Sequence, residues 1–409
     1  MHKIERLLHT LAPKGVEFRK LGEVINILKG KQLNKELLLD YGEYPVMNGG
    51  IHASGYWNEY NTDYPKIIIS QGGASAGYVN YMTSKFWAGA HCYAIELNSE
   101  KLNYKFLYYF LKNSQTILMK SQFGAGIPAL NKADIETLTI PIPPLEIQQE
   151  IVKILDAFTE LNTELNTELK ARKKQYQYYQ NMLLDFNDIN QNHQDAKERL
   201  AQKTYPKRLK SLLHTLVPKG VEFRKLGEVL EYDQPNKYCV TGKEFDKSYP
   251  TPVLTAGKTF ILGYTNEKDN IYQASKSSPV IIFDDFTTAT QWVDFPFKVK
   301  SSAMKILLPK NPTINIRFIF FYMQTIPYNI SGEHTRQWIS RYSKITIPIP
   351  PLEIQQEIVK ILDQFSILTT DLLAGIPAEI EARKKQYEYY REKLLSFKPL
   401  TPHKEVKKC

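Results

Sequence analysis

The sequence predicts an α+β protein in which two homologous α/β domains alternate with two long helices, and these helices pack as an antiparallel coiled coil. Three blocks of sequence occur twice in the chain. Each half contains strand-like runs, then a helical run and finally an apolar repeat with coiled-coil spacing. An approximate internal twofold symmetry is expected, because the chain supplies two near-identical helices that can pair with each other.

The duplicated blocks frame both halves of the chain. Residues 7–24 (LLHTLAPKGVEFRKLGEV) return at 212–229 with one change, residues 139–156 (TIPIPPLEIQQEIVKILD) return unchanged at 346–363, and residues 171–179 (ARKKQYQYY) return at 382–390 with one change. The blocks recur after 205 to 211 residues, a period much longer than the about 20 to 50 residues of a solenoid repeat, so each copy is the size of a domain. The sequences between the blocks differ, so the frame is repeated and the inserts vary.

These blocks predict the domain organisation. A first variable domain is expected at residues 1–144 and a central helix at 145–190. A linker with the second variable domain is expected at 191–351, and a C-terminal helical region at 352–409.

The two inserts share one plan despite their different sequences. A strand-like run is expected at residues 66–70 (KIIIS) and again at 279–283 (PVIIF). An aromatic run at 103–112, matched at 315–324, has helical character. This agreement predicts two homologous domains that have diverged where they contact something else.

The central helix carries a coiled-coil seam. Apolar or aromatic residues recur in steps of four and three from Ile151 to Phe186, with Asn162 and Arg172 filling two gaps. Five such heptads would give about 60 Å of helix. The second copy keeps the seam as far as Phe365 and then meets Pro377, so a break is expected there, with Pro377 as the first residue of a new helix. The alternative is that each helix merely covers its own domain.

A shorter repeat, TELN-TELN-TEL, occupies residues 159–169. Four residues are slightly more than one helical turn, so each copy lengthens the helix by ~6 Å and rotates the next part of the chain by about 40°. The repeat therefore predicts an adjustable spacer. The alternative is a low-complexity patch on a solvated helix.

Composition indicates a soluble cytoplasmic protein with a polyanionic partner. The net charge of +10 is typical of proteins that bind nucleic acid, although many cytosolic proteins are basic for solubility alone. The sequence has no run of ~20 apolar residues and no secretion signal. Cys92, Cys239 and Cys409 are far apart, which argues against a disulfide framework and a zinc site. The histidines show no metal-ligand spacing, so no metal site is expected.

The order of these blocks resembles the specificity subunit of a type I restriction-modification enzyme. The resemblance rests on the duplicated IPIPPLEIQQEIVKILD, the TELN repeats and the final ARKKQYEYYREKLL, and it covers nearly the whole chain. It implies that each variable domain is a target recognition domain for one half of a bipartite, asymmetric site in double-stranded DNA. The helices would set the gap and dock two methyltransferase subunits and then two restriction and translocation subunits. The interruption at Gly375 to Pro377 departs from the family's pattern of two matched spacer helices.

The resemblance also implies a non-catalytic chain. The FxGxG and D/N-P-P-Y/F motifs of an adenine methyltransferase are absent. The glycine-rich residues 71–77 (QGGASAG) lack the lysine of a phosphate-binding loop and would form either a close approach to DNA or a simple tight turn. No cofactor is expected in this chain, whereas S-adenosylmethionine, ATP and magnesium are expected in the partner subunits. Two alternatives stay open: the recognition portion of a combined restriction and methylation enzyme, and a coiled-coil adaptor that does not bind DNA.

Candidate DNA contacts are chosen by residue type and position, because Asn, Gln and Arg can bind base edges while Lys and Ser more often bind phosphates. In the first domain they are Asn48, Ser70, Gln71, Ser75, Lys85, Gln122, Asn131 and Lys132. In the second domain they are Thr255, Lys258, Thr287, Thr288, Thr290, Gln291, His334, Arg336, Gln337 and Arg341. For any one of them an ordinary surface role is an equal alternative. The tyrosines of the repeated ARKKQY blocks are expected to pack the helix pair and a partner subunit.

Overall fold

The structure is a computed structural model that describes residues 2–123, 128–190, 195–255, 260–327, 336–370 and 375–400. The chain divides into two compact units. The first consists of Met1–Asn166 with Glu379–Cys409, and the second of Thr167–Ala378. Each unit therefore combines one variable insert with parts of both long helical regions.

The first unit begins with a helix and then alternates short strands with turns. Its strands are β1 (Glu17–Lys20), β2 (Ile25–Lys29), β3 (Tyr44–Met47), β4 (Gly55–Trp57), β5 (Lys66–Ser70), β6 (Val79–Met82), β7 (Trp87–Ala88), β8 (Cys92–Leu97) and β9 (Thr139–Ile142). Its helices are α1 (His2–Leu11), α2 (Tyr104–Asn113), α3 (Gln115–Lys120), α4 (Lys132–Glu136) and the first part of α5 (Leu145–Leu184).

Two sheets make up the insert of the first unit. One has the strand order β2-β8-β5-β6 and is antiparallel throughout, and the other has the order β4-β3-β7. The three isoleucines of β5 are fully or almost fully buried, which is why this β-branched run takes the centre of the sheet. In the smaller sheet β3 runs parallel to β7, so both strands end at the same edge.

The second unit repeats this plan. Its strands are β10 (Phe223–Lys225), β11 (Leu230–Asp233), β12 (Thr251–Leu254), β13 (Ile261–Thr265), β14 (Val280–Asp284), β15 (Thr290–Val293), β16 (Lys298–Val299), β17 (Met304–Pro309) and β18 (Thr346–Pro348). Its helices are α6 (Ala196–Gln202), α7 (Lys207–Leu216), α8 (Leu226–Val229), α9 (Ile316–Met323), α10 (Gln337–Ser340), α11 (Leu352–Thr370) and the start of α12 (Ile376–Leu394).

The sheets of the second unit have matching strand orders, β11-β17-β14-β15 and β13-β12-β16. Strand β14 starts one residue later than the predicted run, since Pro279 has no backbone N–H to donate to a ladder. The predicted aromatic helices are α2 and α9. Each begins after an asparagine, Asn103 or Asn315, whose side chain accepts hydrogen bonds from two backbone N–H groups of the first turn. The prediction of two homologous α/β domains is confirmed.

Helix α5 contains 40 residues, about 60 Å at 1.5 Å per residue, as the heptad pattern predicts. Its seam positions from Ile151 to Tyr179 are all buried or half-buried. The predicted seam is one step too long, because the helix ends at Leu184 and Phe186 packs in the turn after it.

The helices pair in antiparallel order. In the first unit Phe158 stacks on Tyr390, with ring centroids 5.5 Å apart, and in the second unit Tyr179 stacks on Phe365 at 4.9 Å. Earlier positions of α5 thus meet later positions of the C-terminal helical region. The alternative, a helix that covers only its own domain, describes the first turns of α5, where Ile147, Ile151 and Leu155 lie in the first unit's core.

The C-terminal helical region is interrupted as predicted. Helix α11 extends at least to Thr370, Gly375 is not helical, and α12 starts at Ile376. The new helix therefore begins one residue before the predicted start at Pro377. A proline in the first turn loses no helical hydrogen bond, so the second position accommodates it as well as the first.

None of the helices within the described ranges is long and apolar enough to cross a membrane. Cys92 and Cys239 are free thiols, and Cys409 lies outside the described residues.

Candidate nucleic-acid interface

Loops from both sheets of the first unit meet at one edge, which we call the first loop edge: residues 48–50, 70–77, 89–91 and 128–131. The Gly49 carbonyl accepts hydrogen bonds from the hydroxyls of Ser70 and Ser75, the latter at 3.0 Å. The His91 N–H donates to Asn48 Oδ1 at 3.2 Å. These bonds tie the ends of β3 and β5 to the β7–β8 connection.

Glycine conformation shapes this edge at two places. Gly49 has a φ of +84°, and a Cβ on it would lie 3.1 Å from His91, so the close approach requires glycine. Gly73 has a φ of +80°, and a Cβ there would meet nothing within 4 Å. The space beside the Gly73 Cα is therefore open, while its N–H already donates to the Pro128 carbonyl at 2.9 Å.

Several predicted contact residues of the first domain lie at this edge, but their side chains already bond to the protein. Ser70 is buried, and the Gln122 amide donates to the Ala76 carbonyl at 2.6 Å. Asn131 is the N-cap of α4. Asn48, Ser70, Gln71, Ser75 and Gln122 are thus brought together as a set that supports the loops.

The two predicted lysines differ. Lys85 donates to the Tyr60 hydroxyl at 2.7 Å, beyond the far end of β6, so the structure does not bring it to the first loop edge. Lys132 is exposed and pairs with Glu136 at 3.3 Å. Sequence reasoning missed His91, an exposed residue whose backbone bonds to Asn48 and Gln71 in two of the other loops, because a lone histidine carries no spacing signal.

The second unit has an equivalent edge, which we call the second loop edge: Thr255, residues 285–289, 300–303 and 336–341. The Lys300 N–H donates to the Leu254 carbonyl at 2.8 Å, as the Gly89 N–H donates to the Met47 carbonyl at 2.9 Å in the first unit. This correspondence puts Thr255 in the place of Asn48. Lys258 and His334 lie outside the described residues.

The threonines of the second loop edge form a tight turn. Asp284 accepts from the Thr287 hydroxyl at 2.5 Å and from the Phe286 N–H at 2.9 Å. Thr288 has a φ of +60°, which is strained for a β-branched residue. Thr290 accepts from the Gln324 amide, whereas Gln291 is exposed on β15.

A pair of side chains lies beneath each loop edge at the same strand register. In the first unit Gln71 comes directly after β5, and burial raises the pKa of the adjacent Tyr93, with the Gln71 amide opposing that shift. In the second unit Asp285 comes directly after β14, and Lys305 Nζ lies 3.6 Å from its Oδ2. Tyr93 and Lys305 occupy equivalent places, since they pair with Ile69 and Phe283.

The charged pair of the second unit is fully enclosed. Asp285 is 0% exposed and Lys305 is 1% exposed. Burial lowers the pKa of Lys305, while the Asp285 carboxylate opposes that shift. Sequence reasoning did not select either residue, although two aspartates directly after a strongly apolar strand are a signal for a buried carboxylate.

Asp285 holds the segment that carries three of the predicted contact residues. Its carbonyl accepts from the Gln337 N–H at 2.9 Å and its Oδ1 from the Trp338 N–H at 2.8 Å. Gln337 is buried, whereas Arg336 and Arg341 are exposed at the two ends of α10. Among the residues that the structure describes, neither arginine takes part in an ion pair.

The repeated helix block docks both inserts through the same side chains. Gln148 is fully buried, its amide donates to the Lys101 and Pro143 carbonyls, and its oxygen accepts from the Asn103 N–H at 2.7 Å. Gln355 makes the equivalent bonds to the Thr313 and Pro350 carbonyls and the Asn315 N–H.

Ion pairs complete each of these contacts between the helix block and its insert, which we call the dock. Lys105 contacts Asp156 at 2.9 Å, and Arg317 contacts Asp363 at 2.8 Å. The other copy of the helix also reaches each insert: Arg391 donates to Asn113 in the first unit, and Gln180 donates to the Phe321 carbonyl in the second.

The repeated ARKKQY blocks leave one tyrosine exposed in each unit. Tyr178 is 61% exposed and Tyr389 is 58% exposed, while the next residues, Tyr179 and Tyr390, stack within the helix pair. These equivalent aromatic positions give each unit a candidate docking point. In the described part of the chain no group of three His, Cys, Asp or Glu residues could hold a metal ion.

The family model for the type I restriction modification DNA specificity domain matches the chain twice, at residues 13–175 and 218–382. The chain belongs to this family. A putative type I restriction enzyme specificity subunit of Haemophilus influenzae is 31% identical over 407 residues, which covers 93% of this chain and 96% of that protein. The specificity subunit of the Escherichia coli enzyme EcoR124I/EcoR124II is 55% identical over 188 residues, covering 44% of this chain and 45% of that one.

A crystal structure confirms the family's fold. The S subunit of a type I restriction-modification system from M. genitalium superposes with a TM-score of 0.64 and 21% identity, covering 93% of this chain and 96% of that one. The duplicated frame of this family member is therefore a two-unit scaffold with one loop edge in each unit.

Proposed function

We propose that this chain is the sequence-specific DNA-binding subunit of a type I restriction-modification complex. Each unit reads one half of a bipartite, asymmetric site through its loop edge. The observation that carries the proposal is that the two units have equivalent loop edges with different side chains, whereas the contacts between helix block and insert are the same in both. A symmetric frame with unlike edges suits an asymmetric site with a fixed gap.

The two edges differ in chemistry as two unlike half-sites require. The first is built from amides, hydroxyls and glycine backbone, and no arginine occurs between Arg19 and Arg172. The second carries Arg336 and Arg341. Because arginine binds guanine or phosphate while Asn and Gln bind adenine, the two edges would select different bases.

The chain itself is non-catalytic in this proposal. Its partners supply the chemistry: two methyltransferase subunits with S-adenosylmethionine, and two restriction and translocation subunits with ATP and magnesium. The complex acts in the cytoplasm. One methyltransferase subunit docks beside each exposed tyrosine, Tyr178 and Tyr389, since the surrounding block is repeated almost unchanged.

Methylation sequencing of cells that co-express this chain with its methyltransferase subunit tests the proposal. The expected result is one asymmetric motif with two defined halves and an undefined gap of fixed length. The purified chain alone should bind that motif without methylating or cutting it. Turnover by the chain alone would support a combined enzyme, and absence of any motif-dependent binding would support an adaptor.

Native mass spectrometry of the same complex tests the stoichiometry. Two methyltransferase subunits per chain are expected. Tyr178→Ala and Tyr389→Ala should each weaken the binding of one of these two subunits. A complex that saturates at one methyltransferase subunit would contradict the two docking points.

A further inference from the structure

The short segment at residues 336–342, which we call the arm, is anchored on one side and exposed on the other. Trp338 and Tyr342 are buried, and both pack against the ring of Phe283, with centroids 5.2 and 4.8 Å away. Arg336 and Arg341 are exposed on the same segment. The arm is therefore a fixed support that presents two cations.

These two arginines differ from the other arginine of the second insert. Arg317 is bound to Asp363 at 2.8 Å and belongs to the helix dock. Arg336 and Arg341 form no ion pair within the described ranges. Guanidinium groups without an ion-pair partner at a loop edge are available for phosphate oxygens or for the O6 and N7 atoms of guanine.

One buried carboxylate fixes the arm. Asp285 Oδ1 accepts from the Trp338 N–H at 2.8 Å, the Asp285 carbonyl accepts from the Gln337 N–H at 2.9 Å, and the Asp285 N–H donates to the Ala303 carbonyl at 3.2 Å. Its other oxygen, Oδ2, has no hydrogen-bond partner among the described residues and faces Lys305 at 3.6 Å. The same residue thus joins the arm, the β16–β17 connection and the buried lysine.

The first unit achieves the same connection without charge. The Gln71 carbonyl accepts from the Leu130 N–H at 2.8 Å, and the Gln71 N–H donates to the His91 carbonyl at 2.9 Å. The side chain beneath it is Tyr93 in place of Lys305. A neutral pair is therefore sufficient at this register, and the charged pair is particular to the second unit.

We infer that Asp285 is the positioning residue of the second loop edge: it fixes the arm so that Arg336 and Arg341 contact the second half of the DNA site. The inference rests on the proposed function, in which that edge reads one half-site. Asp285 does not touch DNA, and its effect passes through the arm. Removal of its charge leaves the Lys305 ammonium buried without a counter-charge, which displaces the segment above it.

The test uses the full chain with its methyltransferase subunit. The probes are a synthetic duplex carrying the motif found by methylation sequencing and two duplexes in which either half is scrambled. Asp285→Asn should reduce discrimination against the scrambled second half tenfold or more and leave discrimination against the scrambled first half unchanged. Asp285→Asn combined with Lys305→Met restores a neutral pair and should recover the second-half discrimination to within about threefold.

The exposed arginines provide a test that does not depend on the stability of the buried pair. Arg336→Gln and Arg341→Gln should each make the fall of log affinity with log salt shallower by about one, if the arginine binds phosphate. If it binds a base, the variant should instead relax the sequence preference at one base pair of the second half-site. Arg6→Gln, at an exposed position of α1 outside both inserts, is the matched control and should change neither.

The outcomes separate the inference from the proposed function. Loss of discrimination against both halves in Asp285→Asn, or failure of the double variant to recover it, would overturn the positioning role. If both arginine variants keep the wild-type salt dependence and the wild-type motif, the role of the arm is overturned. If the wild-type complex discriminates neither scrambled duplex, the proposed function itself fails.

Discussion

At the scale of single residues, Gln148 and Gln355 explain why the helix block is repeated without change. Each glutamine is itself fully buried and satisfies one backbone N–H and two carbonyls between helix and insert. Leucine would fill the space but leave those groups without partners. The inserts can therefore diverge around the dock, while the dock itself cannot.

This gives a prediction with an internal control. Gln148→Leu should destabilise the first unit by on the order of 3 kcal/mol, because buried polar groups lose their hydrogen bonds. The next residue, Gln149, is exposed, so Gln149→Leu should be nearly neutral. Hydrogen exchange of α2 and denaturant unfolding measure the difference. Equal effects of the two variants would show that the buried amide is not the anchor.

A second residue-scale prediction concerns pH. Hydrogen bonds from Lys298 and from the N–H groups of Gly242 and Thr241 lower the pKa of Glu267 from 4.5 to about 2. A carboxylate with a lowered pKa stabilises the fold above about pH 4.5, and this contribution is lost as the pH falls towards 2.

The variant Glu267→Gln isolates that contribution. It should cost on the order of 2 kcal/mol at neutral pH, where a charged acceptor is removed from the buried Lys298. The difference from wild type should shrink as the pH falls from 4.5 towards 2. Denaturant titrations at several pH values check this. A difference that stays constant over that range would contradict the lowered pKa.

At the scale of elements, periodicity predicted what depends on local burial. The heptad steps gave α5 and its seam, the KIIIS run gave β5, and the aromatic runs gave α2 and α9. The roles of polar side chains were not predictable. Ser70 and Gln71 resemble exposed loop residues in sequence, yet contacts with Gly49 and Tyr93, distant in sequence, determine their roles. Lys85 falls outside the loop edge because the β5–β6 hairpin carries it to the opposite end.

The TELN repeat supports an element-scale prediction. It straddles the boundary between the compact units at Asn166. Within it, the side chains of Thr163 and Asn166 donate to carbonyls four residues earlier, at 2.9 and 2.6 Å. Each copy of the repeat is thus about one turn of helix that bonds to the copy before it in the same way. A further TELN after Asn166 should lengthen the helix by ~6 Å without breaking the seam.

The expected result of that insertion is a wider gap between unchanged half-sites. A base pair occupies ~3.4 Å, so the gap should grow by about one base pair and at most two. The rotation of about 40° per repeat is close to the twist of a duplex with about ten base pairs per turn, so the displaced unit can still face its groove. Methylation sequencing of the variant measures the gap. An unchanged gap would show that the repeat is passive.

At the scale of the whole molecule, the two units share a topology and a dock, but their loop edges carry different side chains. The dock needs an asparagine before the insert's aromatic helix and a cation two residues later, and both units supply them, as Asn103 with Lys105 and Asn315 with Arg317. An insert that carries this pair should therefore fit either a native or a foreign frame. In the proposed function, specificity and assembly are therefore separated along the chain.

This separation predicts modular specificity. Replacement of residues 28–131 by the equivalent insert of another family member should change one half of the methylated motif and leave the other half and the gap intact. A donor with Asn and Lys or Arg at the docking positions should retain full methylation, because Gln148 and Asp156 then keep their bonds. The matched control is the same donor with that cation replaced by Gln, which should weaken docking without altering the motif. A replacement that changed both halves together would show that the units do not read DNA independently.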